Sequence, residues 1–194
     1  MPKRICLING HPDPSLERFC HALTDAYQTG AKDAGHIVDR FDVGAMEFGF
    51  LSSPQDFETP PPAAFEPVRT AMAEADHLVL VYPLWLGEIP AKTKAFFEHA
   101  ASGEFFLATS ANGAGWPAQR MKGKSARLIL TMGMPGFAYR LLFGAHSVKA
   151  LEAGLLKISG FKPVRHTVFG GVQVSEKARA RMLERTQALG QAAR

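Results

Sequence analysis

Three short stretches hold residue types that can act on a small ligand. "NGHPDPSLERF" (9–19) sets Gly10 and two prolines ahead of Ser15. Ser15 can cap a helix, and the free N–H groups of that helix's first turn would form an anion site with His11 and Arg18 beside it. The same residues also spell an ordinary turn with its cap. "YPLWLGEIP" (82–90) offers an apolar wall of Pro83, Leu84, Trp85 and Leu86. Trp85 reads either as cover for a sheet edge or subunit partner, or as a wall for a flat aromatic ligand. "TMGMPGFAYRLLFGAH" (131–146) supplies Thr131, Gly133 and Gly136, small enough for backbone to approach a ligand, and then Tyr139 and His146. Either of these two side chains can donate a hydrogen bond or a proton.

Five β-branched apolar runs must position these stretches: 4–10, 36–43, 77–83, 126–132 and 163–170. They alternate with helical segments starting near Ser15, Phe65, Pro90, Ser147 and Ser175. Phe19, Leu23, Ala26, Tyr27, Gly30 and Ala34 share one face of the first helix. Alternation of this kind predicts one α/β domain spanning 1–194, a doubly wound parallel sheet with helices on both faces. The first, third and fourth runs are apolar throughout, as central strands are; the charged second and fifth fit the edges. The expected order is 2-1-3-4-5, with the topological switch between the first and third strands. Ligands of open α/β sheets bind outside the carboxyl ends of strands at that switch, and the three unusual loops lie there. A planar cofactor with a phosphate tail is the economical ligand, and flavin mononucleotide has that shape. The connections 46–65 and 102–124 are long, aromatic and rich in Gly or Pro, which suggests a lid or a subunit contact.

Other chemistries lack their signatures. GxGxxG and HExxH are missing, and "GKS" at 123–125 fails as a phosphate loop because Ala118 stands where glycine is required. No metal site is expected. A net charge of +4, spread along the chain, gives little reason to expect nucleic-acid binding. Cys6 and Cys20 show no pairing pattern, and no apolar run suits a leader or membrane span, so a cytoplasmic protein without disulfides is expected.

Taken together, the motifs resemble those of the flavodoxin-like NAD(P)H:quinone oxidoreductases. "GHPDP" resembles that family's GHP loop, "YPLWLGEIPAKTKAFFE" its YPLWWGxxPAxLKGWxDR segment, and "TMGMPGFAY" with His146 its TxGxxxxxY…H segment. The resemblance implies a homodimer carrying tightly bound FMN or FAD, reduced by NADH or NADPH and reoxidised by a quinone, azo or nitro acceptor in a ping-pong cycle. It makes His11, Arg18, Phe19 and Cys20 residues of the flavin phosphate loop, with Ser15 at the same helix mouth. Pro83, Leu84, Trp85, Leu86 and Gly87, with Thr131, Met132 and Gly133, would line the isoalloxazine, and Tyr139 and His146 would stand at its pyrimidine edge. The family often has Ser or Thr, Phe and Asn where this chain has Arg18, Phe19 and Cys20. Two other readings share the fold: a one-electron flavodoxin, typically far more acidic, and a flavin-bearing regulatory subunit of a membrane transporter.

Overall fold

Ile5, Cys6, Leu7 and Ile8 are all fully buried in strand β1 (Arg4–Asn9), because that strand is covered on both faces. The computed structural model describes residues 1–108 and 115–194. After β1 come α1 (Phe19–Asp33), β2 (Ile37–Asp42), α2 (Pro54–Glu58), α3 (Glu66–Glu74), β3 (His77–Pro83) and α4 (Ala91–Ala101). The chain continues through β4 (Leu107–Ala108), β5 (Ala118–Gln119), β6 (Ser125–Met132), α5 (Gly136–Leu142) and α6 (His146–Ala150), which runs into a π-helical stretch at Leu151–Lys157. β7 (Val164–Gly170) and α7 (Glu176–Gln191) complete it.

The main sheet has the order β2-β1-β3-β6-β7 and is parallel throughout. The five runs read from the sequence are these five strands, so the 2-1-3-4-5 order holds. Ile5, Leu7, Val79, Val81, Ile129 and Phe169 pack with Leu23 and Tyr27 of α1 on one face. Cys6, Ile8, Leu80, Leu128 and Leu130 pack with Val68, Phe96 and Phe97 on the other. Alternate residues thus feed two cores, as strand geometry requires. α1 and α7 touch backbone to backbone: a Cβ on Gly30 would lie 2.0 Å from the Gln187 carbonyl oxygen, and one on Gly190 2.1 Å from that of Tyr27.

The helix expected from Ser15 begins four residues later. The Ser15 N–H donates to the Asp13 carboxylate at 2.9 Å, an Asx turn that competes with helix initiation. Arg18 occupies the N-cap position with no side-chain cap bond. Ser175, by contrast, caps α7 as expected, accepting from the Ala178 N–H. The 46–65 connection contains α2, closed by a Ser53–Asp56 capping box, and the described part of 102–124 contains the antiparallel pair β4–β5; residues 109–114 lie outside the described residues. Cys6 and Cys20 are buried and free. Among the described residues no helix is long and apolar enough to cross a membrane.

His77, at the start of β3, is 1% exposed. Its Nδ1 lies 2.8 Å from Ser125 Oγ, while Nε2 is buried without a partner. Burial, with Lys3 and Arg127 nearby, lowers its pKa to about 3. Below the unfolded value of ~6.5 the unfolded chain therefore binds a proton that the folded chain refuses, so stability falls as pH drops through that window. Urea unfolding between pH 6.5 and 4.5 should show a loss on the order of 2 kcal/mol from this group. His77→Gln should remove that part of the slope.

Candidate functional site

Gly10 sets the geometry of the crevice where β1 and β3 meet. Its N–H extends the β1–β3 pairing by donating to the Val81 carbonyl at 2.7 Å, and its carbonyl accepts from the Thr93 hydroxyl of α4. A Cβ here would lie 2.7 Å from Thr93 Cγ2 and 3.0 Å from Leu80 Cδ1. Only glycine fits, and the loop that follows is thereby pinned over the switch point.

Within that loop the charges are spoken for. Asp13 accepts from the Ser15 N–H and, at 2.6 Å, from Arg18 Nε, and these two donors hold its carboxyl below the usual range. His11 is buried, and its Nδ1 accepts from the Asp13 N–H at 3.1 Å. Burial lowers its pKa, so at neutral pH it offers a neutral ring rather than a positive charge. Cys20 Sγ lies 3.4 Å from Thr131 Oγ1 and its thiol is pushed up to about 12 by burial. It ties α1 to the end of β6 as an inert group. Phe19 is half-buried, beneath the Arg179 guanidinium at 4.8 Å. α1 itself has neither a side-chain cap nor an acidic residue in its first turn, which leaves its N-terminus open to an anion.

Numbered by the apolar runs that precede them, the first, third and fourth loops follow β1, β3 and β6, and the third is a tight hairpin. Trp85 and Glu88 exchange two N–H to carbonyl bonds of 2.9 Å, and Leu86 and Gly87 between them have φ of 50° and 84°, the signature of a type I′ turn. Leu86 is fully exposed in this left-handed conformation and Trp85 is 49% exposed. The indole meets the His11 ring edge-on at 5.9 Å, which joins the first and third loops. Leu84 N–H donates to the Thr131 carbonyl at 2.8 Å, which joins the third and fourth. Pro83, Thr131 and Met132 are buried beneath the crevice, while Gly133 is exposed and a Cβ there would meet nothing within 4 Å.

His146 comes to the hairpin. Its Nε2 lies 3.0 Å from Glu88 Oε1 and its Nδ1 2.7 Å from the Phe143 carbonyl oxygen. Both neighbours are hydrogen-bond acceptors, and together they fix the orientation of the ring. Tyr139 stands behind it. The phenol is fully buried, its hydroxyl accepting from the Val148 N–H at 3.4 Å and its ring stacked on Phe143. Burial raises its pKa, opposed by that amide. The hydroxyls of Tyr82 and Ser147 are also buried, beside one another and beside the Tyr139 hydroxyl.

Residues 3–192 match the flavodoxin-like fold family. The chain belongs to that family. An uncharacterized NAD(P)H oxidoreductase of Haemophilus influenzae is 26% identical over 184 residues, covering 92% of this chain and 89% of its own length. Among solved structures, the NAD(P)H:quinone oxidoreductase of Methanothermobacter marburgensis superposes with a TM-score of 0.85 over 100% of both chains at 22% identity. An FMN-dependent NADH-azoreductase of Bacillus anthracis in complex with FMN does so at 0.74 over 99% of both, at 13% identity.

In this flavodoxin-like chain the fold brings together all three stretches singled out in the sequence. Glu88 was missed: it lay inside the quoted motif, but its tie to His146 depends on the turn. A left-handed leucine costs ~1 kcal/mol or more, and asparagine is favoured at this position of a type I′ turn. Leu86→Asn should therefore stabilise the chain by up to ~1 kcal/mol, measured as a raised urea midpoint with an unchanged slope.

Proposed function

We propose that this chain is a flavin-dependent NAD(P)H oxidoreductase, moving two electrons from NADH or NADPH to a quinone, azo or nitro acceptor by a ping-pong cycle. The observation that carries this reading is the meeting, at the β1–β3 switch point, of an uncapped helix N-terminus, a half-exposed indole and a histidine held by a carboxylate. These suit the phosphate tail, the ring and the polar edge of a flavin in turn. The names of the relatives agree with it, and the FMN of the azoreductase favours FMN over FAD.

A bound flavin supplies a hydride acceptor that reoxidation restores. The chain's part is to hold and to protonate. The first-turn amides of α1, around Phe19 and Cys20, bind the phosphate, with Ser15 and Arg18 at the same mouth and His11 beneath. Pro83, Leu84, Trp85, Leu86 and Gly87 form one wall; Thr131, Met132 and Gly133 offer backbone to the ring edge. His146, held in place by Glu88 and the Phe143 carbonyl, stabilises negative charge as it develops. Tyr139 acts with it, its buried hydroxyl fixing the α6 turn that presents the imidazole.

The reading includes a homodimer. Exposed Leu141, Leu142 and Trp116, and an apolar cavity of about 380 Å³ between α4 and the π-helical stretch, lined by Phe97, Phe106, Leu151 and Leu155, are surfaces that a second subunit would cover. Unpaired, buried cysteines fit a cytoplasmic setting.

Purified protein should be yellow or take up one flavin per chain. Absence of colour, with no rise in melting temperature at saturating FMN or FAD, would refute the assignment. Trp85→Ala should weaken flavin binding more than stability, by ~1 kcal/mol for lost stacking. Tyr139→Phe combined with His146→Gln should leave flavin bound and slow its reduction by NAD(P)H by about ten- to a hundredfold in stopped flow. A wild-type rate would remove both from the reaction.

A further inference from the structure

The register of the sheet sets Arg127 of β6 beside Arg165 of β7, two residues below Ile129 and four below Phe169 on the same sides of their strands. Like charges placed side by side across strands oppose pairing. Elsewhere the fold avoids this: Arg4 meets Asp39 and Glu74, Arg18 meets Asp13, and Arg40 meets Asp25 and Asp42. Among the described residues, Arg165, Arg185 and Arg194 form no such ion pair, and Arg127 Nε has the main-chain oxygen of Arg194 as its partner.

Arg127 is 5% exposed. Its Nη1 donates to Thr167 Oγ1 at 2.8 Å and its Nε to the main-chain oxygen of Arg194. With Lys3 and His36, which reach the Ala193 and Gln191 carbonyl oxygens, it covers the C-terminal end of α7. Burial and the like charges of Arg165, Arg185 and Arg194 pull its pKa down, against the opposing influence of Tyr27. No comparable structural task falls to Arg165. Arg185 only overlies Phe169 at 5.8 Å. All four arginines line a cavity of about 540 Å³ at the β7 edge. Glu152, the one acidic side chain of its lining, is already engaged by His166 at 2.6 Å and Lys157 at 3.2 Å.

We propose that this cavity between β7 and α7 is a second binding site, for a small phosphate-bearing anion of the diphosphate class. Arg165 and Arg185 supply the forked contacts and Arg127 a fixed, buried charge behind them. Guanidinium forks match phosphate oxygens in pairs, the cavity is of small-ligand size, and charges gathered around one concavity suit a small anion better than a polymer. Arg127 lies four residues before Thr131 on β6, ~13 Å nearer the strand's start at the usual rise per residue. The site is therefore remote from the crevice and does not depend on the flavin assignment.

Calorimetric titration of the full chain with inorganic diphosphate, at ionic strength fixed with chloride, tests this. One saturable site is expected, with the same affinity with and without saturating FMN and a raised melting temperature. Arg165→Gln with Arg185→Gln, both exposed positions, should weaken binding at least tenfold. Arg165→Lys with Arg185→Lys, which keeps the charge and loses the fork, should fall between. No saturable binding, unchanged affinity in the Gln pair, or displacement by FMN would each overturn the site. Binding of heparin but not diphosphate would also overturn it, making the surface one for polymers.

Discussion

The site hangs from the seat of Gly10. A parallel sheet closed on both faces leaves only strand ends for chemistry, and here the first of those ends is fixed by an atom that cannot be there. Because a Cβ at Gly10 would collide with Thr93 and Leu80, β1, β3 and α4 approach more closely than ordinary side chains allow. The His11–Trp85 contact and the open N-terminus of α1 are both downstream of that approach. Its hydrogen bonds, to Val81 and from Thr93, tie the loop to two elements at once.

Charge is distributed with the same economy near the crevice and without it at the far edge. Asp13 neutralises Arg18, and Asp42 accepts from both Asn9 and Arg40, so the crevice presents amide dipoles and a neutral His11 rather than free cations. At the β7 edge four arginine side chains share one concavity with a single acidic side chain, Glu152, which is already paired with His166 and Lys157.

Much of this was readable in the residues. Runs such as Ile5–Ile8 and Leu78–Tyr82 are apolar on both faces because both are buried, so their identity as central strands followed from composition alone. The helix start did not follow, since Ser15 is as good a cap as Ser175; what differs is Asp13, whose carboxylate captures the Ser15 amide first. The hairpin was hidden for another reason. Type I′ turns announce themselves through Asn-Gly or Asp-Gly, and this one uses Leu86-Gly87. Glu88 and the Arg127–Arg165 pair depend on turn geometry and register, which no local pattern encodes.

Several exceptions to local rules fall around one rim: a left-handed leucine, a half-exposed tryptophan and an uncapped helix, and the paired arginines fall at one edge. A sequence under pressure only to fold would relieve each with a common substitution, such as asparagine at 86 or a carboxylate at 165. The indole gives the sharpest instance. Trp85 touches His11 edge-on and leaves about half its surface to solvent, so as a plug for the sheet end it is oversized. That exposed half of the indole and the left-handed Leu86 beside it lie on the same short hairpin, so the strained turn is what sets the position of the ring.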